Sequence, residues 1–307
     1  MKMSVSLFSA VLSLLLLGLS AQHDDLFWAY TKRFPQSQTK KLKVFSTLQK
    51  TCSLPTIKQL NLVRPQEEGI KTNDPNGPDV TSRILEANKD ISRDLVEGDV
   101  VLSKKRNAMK CWSGYCKWPK SYNGLVEVPY SFSDYFYDSE KASIEQAMET
   151  FHEKTCIRFV PHRGQSDYLQ IESELGCWST IGRDGGQQVV SLSVYGCLDR
   201  GVVQHELLHA LGFHHEHTRS DRDQYVRINW GNVPSGQAVN FHKADTNNLN
   251  TPYDYSSLMH YGRTAFASVY GEETITPIPD SSVPIGQREE MSDIDIIRIN
   301  RLYECNI

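Results

Sequence analysis

Histidines 205, 209 and 215 stand in one string, Gln204-His205-Glu206-Leu207-Leu208-His209-Ala210-Leu211-Gly212-Phe213-His214-His215, and no other stretch restricts the fold so tightly. In a helix, residues four apart stack on one face, so His205 and His209 can present both imidazoles to one point. Glu206 lies beside that face, close enough to reach a water held there. This is a zinc-ligand arrangement, in which the metal acidifies the water and the carboxylate accepts its proton. Five residues of this kind also arise by chance in ordinary helices. Here the spacing continues, with Gly212 three places beyond His209 and His215 three beyond that. A continuing helix would carry His215 off the ligand face. A glycine at positive φ turns the chain back and lets His215 supply a third ligand.

The rest of the chain places this string in an extracellular context. Lys2 precedes an almost wholly apolar run, Leu7 to Leu19, and small residues follow. Residues 1–20 read as a secretory signal peptide cleaved near Ser20. The run is shorter than the roughly 20 residues that span a bilayer, which argues against a membrane anchor. Secretion makes the seven cysteines candidates for disulfides. Cys52 stands alone, whereas Cys111, Cys116, Cys156, Cys177, Cys197 and Cys305 follow Lys104-Lys105-Arg106. An activating protease cutting after Arg106 would remove residues 21–106 as a propeptide and leave 107–307 as the mature domain. Residues 1–106 carry 16 Lys and Arg against 11 Asp and Glu, leaving 17 against 26 afterwards. That negative balance argues against nucleic acid as a partner.

Patterning in the second region predicts alternating strands and helices. Leu125 to Phe132 alternates as a strand, and Ile144, Ala147, Met148 and Phe151 recur at helical spacing to about Lys154, with Ser139 as the N-cap. Ile157–Val160, Tyr168–Ile171 and Gln188–Leu192 read as further strands, with a turn at Gly182 to Gly186. The histidine helix begins after Asp199, and a capped helix from Ser292 to Tyr303 leads into Cys305. Arg64 to Gly69 and Asn73 to Pro78 read as linker or loop.

The full histidine string matches the metzincin signature, and Ser257-Leu258-Met259-His260-Tyr261 is similar to its methionine turn, with Met259 as an apolar floor beneath the metal. His215-Glu216-His217-Thr218-Arg219-Ser220-Asp221-Arg222-Asp223 extends the core in the manner of the astacin family. Cys177-Trp178-Ser179, Gly182-Arg183 and Val189 to Leu192 are similar to the astacin loop and edge strand that line the substrate cleft. Resemblance covers almost all of residues 107–307. It implies an α+β fold of two subdomains: a mixed five-stranded sheet with two long helices above the cleft, then a largely irregular part ending in a helix. It also implies one zinc ion on His205, His209 and His215, with Glu206 as general base. Tyr261 becomes a zinc ligand at rest that stabilises the oxyanion, and Glu216 an anchor for the mature N-terminus. The implied disulfides are Cys156 with Cys305 and Cys177 with Cys197. Cys111 and Cys116 add the short pair that marks six-cysteine astacins of fishes. With Asn107 to Cys111 and Ser121 to Tyr130, they resemble the hatching enzymes.

That resemblance implies a monomeric, secreted endopeptidase, stored in granules, acting on egg-envelope glycoproteins. A six-cysteine astacin with another protein substrate stays open. So does a silent zinc-containing matrix-binding protein, against which the retained Glu206 argues. Leu95-Val96-Glu97-Gly98-Asp99 resembles the astacin prosegment motif, whose aspartate takes the metal position of water. A thiolate latch from Cys52 is the competing idea, but its neighbours lack that latch's pattern. His214, His217 and His260 read as neighbours of the site, and Asp221-Arg222-Asp223 as a salt-bridged turn rather than a calcium loop.

Overall fold

A computed structural model describes residues 77–91, 95–102, 115–287 and 289–306. The apolar leader, Cys52, Lys104-Lys105-Arg106, Asn107 and Cys111 lie outside them. Helix α1 (Val80–Asn88) was not foreseen in the sequence. Asp79 caps it by accepting the Ser82 N–H at 2.9 Å, and Val80 and Ile84, four apart, are both buried. Arg83 pairs with Asp199 at 2.9 Å, fastening α1 to the start of the histidine helix. A hairpin of two-residue strands follows, β1 (Leu95–Val96) with β2 (Val100–Val101), turning through Glu97 at φ 52°, Gly98 at φ 80° and Asp99. A Cβ at position 98 would stand 2.6 Å from Leu85, so backbone conformation and packing both require glycine.

The main sheet collects β3 (Val126–Phe132), β4 (Ile157–Pro161), β5 (Tyr168–Glu172), β6 (Cys177–Trp178) and β7 (Gln187–Leu192) in the order β4-β3-β5-β7-β6. All pairings are parallel except β6 with β7, so β6 forms an antiparallel edge. Between β3 and β4 runs α2 (Asp138–Lys154); after β7 comes α3 (Arg200–Ala210). The buried residues of α2 include the predicted Ile144, Ala147, Met148 and Phe151. Its N-cap is Tyr137, not Ser139, because the Glu140 carboxylate reaches back to accept the Tyr137 N–H at 2.8 Å. Asp199 caps α3 as predicted, accepting from Gly201 N–H. Two side chains close the far end of α3: Trp118 donates to the Ala210 carbonyl at 3.0 Å and Tyr303 to that of Leu211 at 2.9 Å.

Beyond α3 regular structure is sparse: short 3-10 segments, of which Ser235–Phe241 is seven residues long, the antiparallel pair β8 (Val226–Ile228) and β9 (Ile275–Pro277), and α4 (Asp293–Leu302) capped by Ser292. A second buried cluster, including Phe241, Tyr253, Tyr261 and Ile275, fills this part. Within the described residues no helix is long and apolar enough to cross a membrane. Disulfides join Cys177 to Cys197 and Cys156 to Cys305, the latter tying the start of β4 to the chain just after α4. The second bridge closes a separation of 149 residues. Replacing Cys156 and Cys305 by serine is expected to lower unfolding stability by about 2–5 kcal/mol, read from urea unfolding midpoints.

Candidate metal and catalytic centre

Helix α3 carries His205 and His209 one turn apart, and Gly212 at φ 108° reverses the chain so that His215 returns to them. The Nε2 atoms of His205 and His215 lie 3.1 Å apart. Asp99 approaches from the β1–β2 hairpin, with Oδ2 3.0 Å from His205 Nε2 and 3.3 Å from His215 Nε2, and Oδ1 3.3 Å from His209 Nε2. All four side chains are buried.

The other nitrogen of each ring defines its tautomer. His205 Nδ1 lies 3.2 Å from the Leu258 carbonyl, His209 Nδ1 2.7 Å from that of Phe213, and His215 Nδ1 2.9 Å from Glu97 Oε2. These partners only accept, so each Nδ1 carries the hydrogen, and in the neutral ring each Nε2 has its lone pair toward the common centre. Three lone pairs and a carboxylate facing one another repel unless a cation lies between them. Tetrahedral ligation at about 2.0–2.2 Å sets donor atoms roughly 3.3 Å apart, close to the separations found. The four residues therefore fit a metal ion. In the chain alone, burial opposes charge on His215, but Asp99 and Glu97 outweigh it and hold its pKa at about 9. Burial takes His205 down to about 4.

Glu206 is fully buried, and neither carboxylate oxygen has a hydrogen-bond partner among the described residues. Burial, and after it the Asp99 carboxylate, pushes its carboxyl well above the usual range. Met259 is buried in the core, and its carbonyl accepts the Glu216 N–H at 2.9 Å. Tyr261 stacks on His217, ring centroids 3.8 Å apart, and its hydroxyl donates to the Glu97 carbonyl. The β1–β2 hairpin thus engages the tyrosine that the family resemblance assigned to the metal at rest. Glu216 faces away from the histidines: Arg298 grips both its oxygens at 2.6 and 2.8 Å, and Asp254 N–H donates to it at 2.7 Å. A cavity of about 480 Å³ adjoins it, lined in part by Gly212, His214, Arg219 and Asn248. His260 accepts or donates within a Tyr253–Tyr261 network, and Asp221 and Asp223 pair with Arg219, Arg222 and Lys243.

Two contributors had not been read from the sequence. Glu97 bridges His214 Nδ1 at 2.8 Å and both Nδ1 and the backbone N–H of His215, at 2.9 and 3.2 Å. Asn88, the last residue of α1, acts as a false strand partner. Its amide nitrogen donates to the carbonyls of Gly98 and Cys177, at 2.9 and 2.7 Å, and its oxygen accepts the Cys177 N–H at 2.7 Å. Next along, Ser179 N–H donates to the Asp99 carbonyl at 3.0 Å and Val101 N–H to the Ser179 carbonyl at 2.9 Å. Asn88 of α1 and the backbone of the β1–β2 hairpin together cover the free edge of β6. Glu97 stands inside the Leu95–Asp99 motif without its role being legible there, and no local pattern announces Asn88, because the partners of both lie far off in sequence.

A family model described as Astacin, a peptidase family, matches residues 115–304. This chain belongs to the astacin family. Among its relatives, high choriolytic enzyme 1 of Oryzias latipes is 57% identical over 227 residues, covering 74% of this chain and 84% of that one. Low choriolytic enzyme from the same fish is 56% identical over 229 residues, with the same coverage. A solved structure of the former, described as a hatching enzyme zinc-protease, matches at TM-score 0.63 and 58% identity, covering 65% of this chain and 100% of that chain. The astacin described here is accordingly a metallopeptidase closely related to the choriolytic enzymes. The five-stranded mixed sheet agrees with the architecture expected of an astacin.

Proposed function

We propose that the chain is the precursor of a secreted zinc endopeptidase that hydrolyses egg-envelope proteins. Residues 1–20 direct export, 21–106 keep the enzyme latent, and cleavage after Arg106 releases 107–307. The observation that carries this reading is the convergence of three Nε2 lone pairs with Asp99 in the remaining position, beside an unpartnered Glu206. Choriolytic relatives at 56–57% identity support the envelope as substrate.

His205, His209 and His215 would hold the zinc, with Asp99 as the fourth ligand while the prosegment is attached. A zinc ion bound there supplies Lewis-acid polarisation of the scissile carbonyl and acidifies the attacking water. Once Asp99 withdraws, Glu206 faces that water, removes its proton and hands it to the departing amine. Its burial favours the protonated form, which favours the first transfer, from water to carboxylate. Withdrawal of Glu97 frees the Tyr261 hydroxyl to donate to the oxyanion. The edge of β6, no longer masked by Asn88 and the hairpin, offers its Cys177 and Ser179 backbone groups to an extended substrate. Glu216, beside the cavity, is the group to receive the new amine of Asn107, in exchange for part of its pairing with Arg298 and Arg219.

The test is limited cleavage of the purified precursor after Arg106, followed by assays on peptide libraries and isolated egg envelope. Both substrates should be cut, and 1,10-phenanthroline should abolish cutting until zinc is restored. Peptide hydrolysis without attack on envelope would replace the envelope by another extracellular protein as substrate.

A further inference from the structure

A histidine ligand needs an acceptor at its Nδ1, because that hydrogen bond selects the tautomer and raises the basicity of Nε2. For His215 the acceptor is a carboxylate, Glu97, carried by the prosegment. For His205 it is the Leu258 carbonyl. What stands behind that carbonyl is unusual. The same peptide group donates its Met259 N–H to Ser257 Oγ at 3.1 Å, and Ser257 Oγ donates to Asp295 Oδ1 at 2.6 Å. The other Asp295 oxygen accepts the Leu258 N–H at 2.8 Å and the Ser292 N–H at 3.0 Å. Asp295 is 3% exposed; Ser257 and His205 are 0%.

From His205 to Asp295 the donors all point one way: imidazole N–H to carbonyl, amide N–H to hydroxyl, hydroxyl to carboxylate. Chains aligned head to tail polarise one another, most strongly where water is excluded. Three donors converge on Asp295 and it donates to none of them, the pattern of an ionised acceptor. We propose that Asp295 is a positioning residue for the metal centre: through Ser257 and the Leu258–Met259 peptide it makes the Leu258 carbonyl a stronger acceptor and thereby orients His205 and strengthens it as a ligand. The inference rests on the metal reading of the histidine cluster. It also gives α4, remote from the histidines in sequence, a part in the chemistry. If processing removes Glu97, this relay becomes the carboxylate-backed support that stays with residues 107–307.

Asp295 also completes the N-terminal capping box of α4 with Ser292, so a purely structural role must be separated. Ser257→Ala breaks the relay and leaves that box intact; Ser292→Ala does the reverse. In the full chain, zinc affinity is measured by competition with a chromophoric chelator, and the cobalt-substituted protein by its visible absorption. Ser257→Ala should weaken zinc binding by about 10-fold or more and shift the cobalt bands. Ser292→Ala should lower the melting temperature while keeping zinc affinity within about twofold of wild type, since a helix cap acts on stability alone. Equal zinc affinity and superimposable cobalt spectra for Ser257→Ala and wild type would overturn the proposal, as would equal losses in both variants. Should Ser257→Ala fail to fold, Asp295→Asn compared with Ser292→Ala carries the same contrast. A wild-type chain that takes up no zinc would instead remove the metal reading itself.

Discussion

Replacing Glu206 by glutamine lowers kcat of the processed chain by about 10²–10⁴-fold, the range contributed by a positioned proton-transfer group. KM should move by less than about threefold, because the lost interaction belongs to the transition state and not to substrate binding. Glutamine keeps the shape of the side chain in its fully buried site but cannot accept a proton. It also replaces a buried carboxylate whose two oxygens have no partner among the described residues, so folding stability should hold or rise. Steady-state kinetics on a peptide substrate, with zinc stoichiometry and melting temperature measured on the same preparation, check all three statements. A variant with wild-type kcat would remove Glu206 from the proton transfer.

Asp99→Ala acts in the opposite direction, on the uncleaved chain. Asp99 closes the centre through contacts of 3.0–3.3 Å with all three histidines. An Asp99 carboxylate that contributes about 1.4–2.8 kcal/mol to closure shifts the closed-to-open balance about 10- to 100-fold when it is lost. The full-length variant should therefore hydrolyse a small peptide about 10- to 100-fold faster than the full-length wild type. Full release is not expected, because Asn88 still covers Cys177 and Glu97 still holds His214, His215 and Tyr261. A short peptide shows the effect best, since it depends least on the masked strand edge. An unchanged, fully latent precursor would sink the role of Asp99. Carrying Asn88→Ala as well should raise the rate further, because the edge of β6 is then less firmly masked.

Much of the catalytic half could be read residue by residue. The alternation of Val126 to Phe132 and the helical recurrence of Ile144 to Phe151 report a buried face directly, since strand and helix periods differ. The stretch from Asp79 to Asn88 was harder. Asp79, Val80 and Ile84 do carry a cap and one apolar turn, but nine residues among Pro- and Gly-rich neighbours give too short a period to separate from a loop. Tyr261 shows the limit of reading a role from position alone. The family resemblance, from its place two residues after Met259, gave it to the metal, yet in the structure its hydroxyl is held by the Glu97 carbonyl.

By itself the sequence determined the histidine pair on one helical turn, the glycine that ends the helix, and the third histidine beyond it. These are relations over a few residues, settled by helix pitch and backbone sterics. The Leu95–Asp99 motif had already pointed to Asp99 for the centre; tertiary structure alone decided which carboxylates stand behind the histidines, Glu97 behind His215 and Asp295 behind the carbonyl that holds His205. Those contacts join residues far apart in the chain. They exist because α1 docks on α3 and β6 and α4 buries its first turn under the methionine turn, and packing of that kind leaves no periodic trace in the residues that meet.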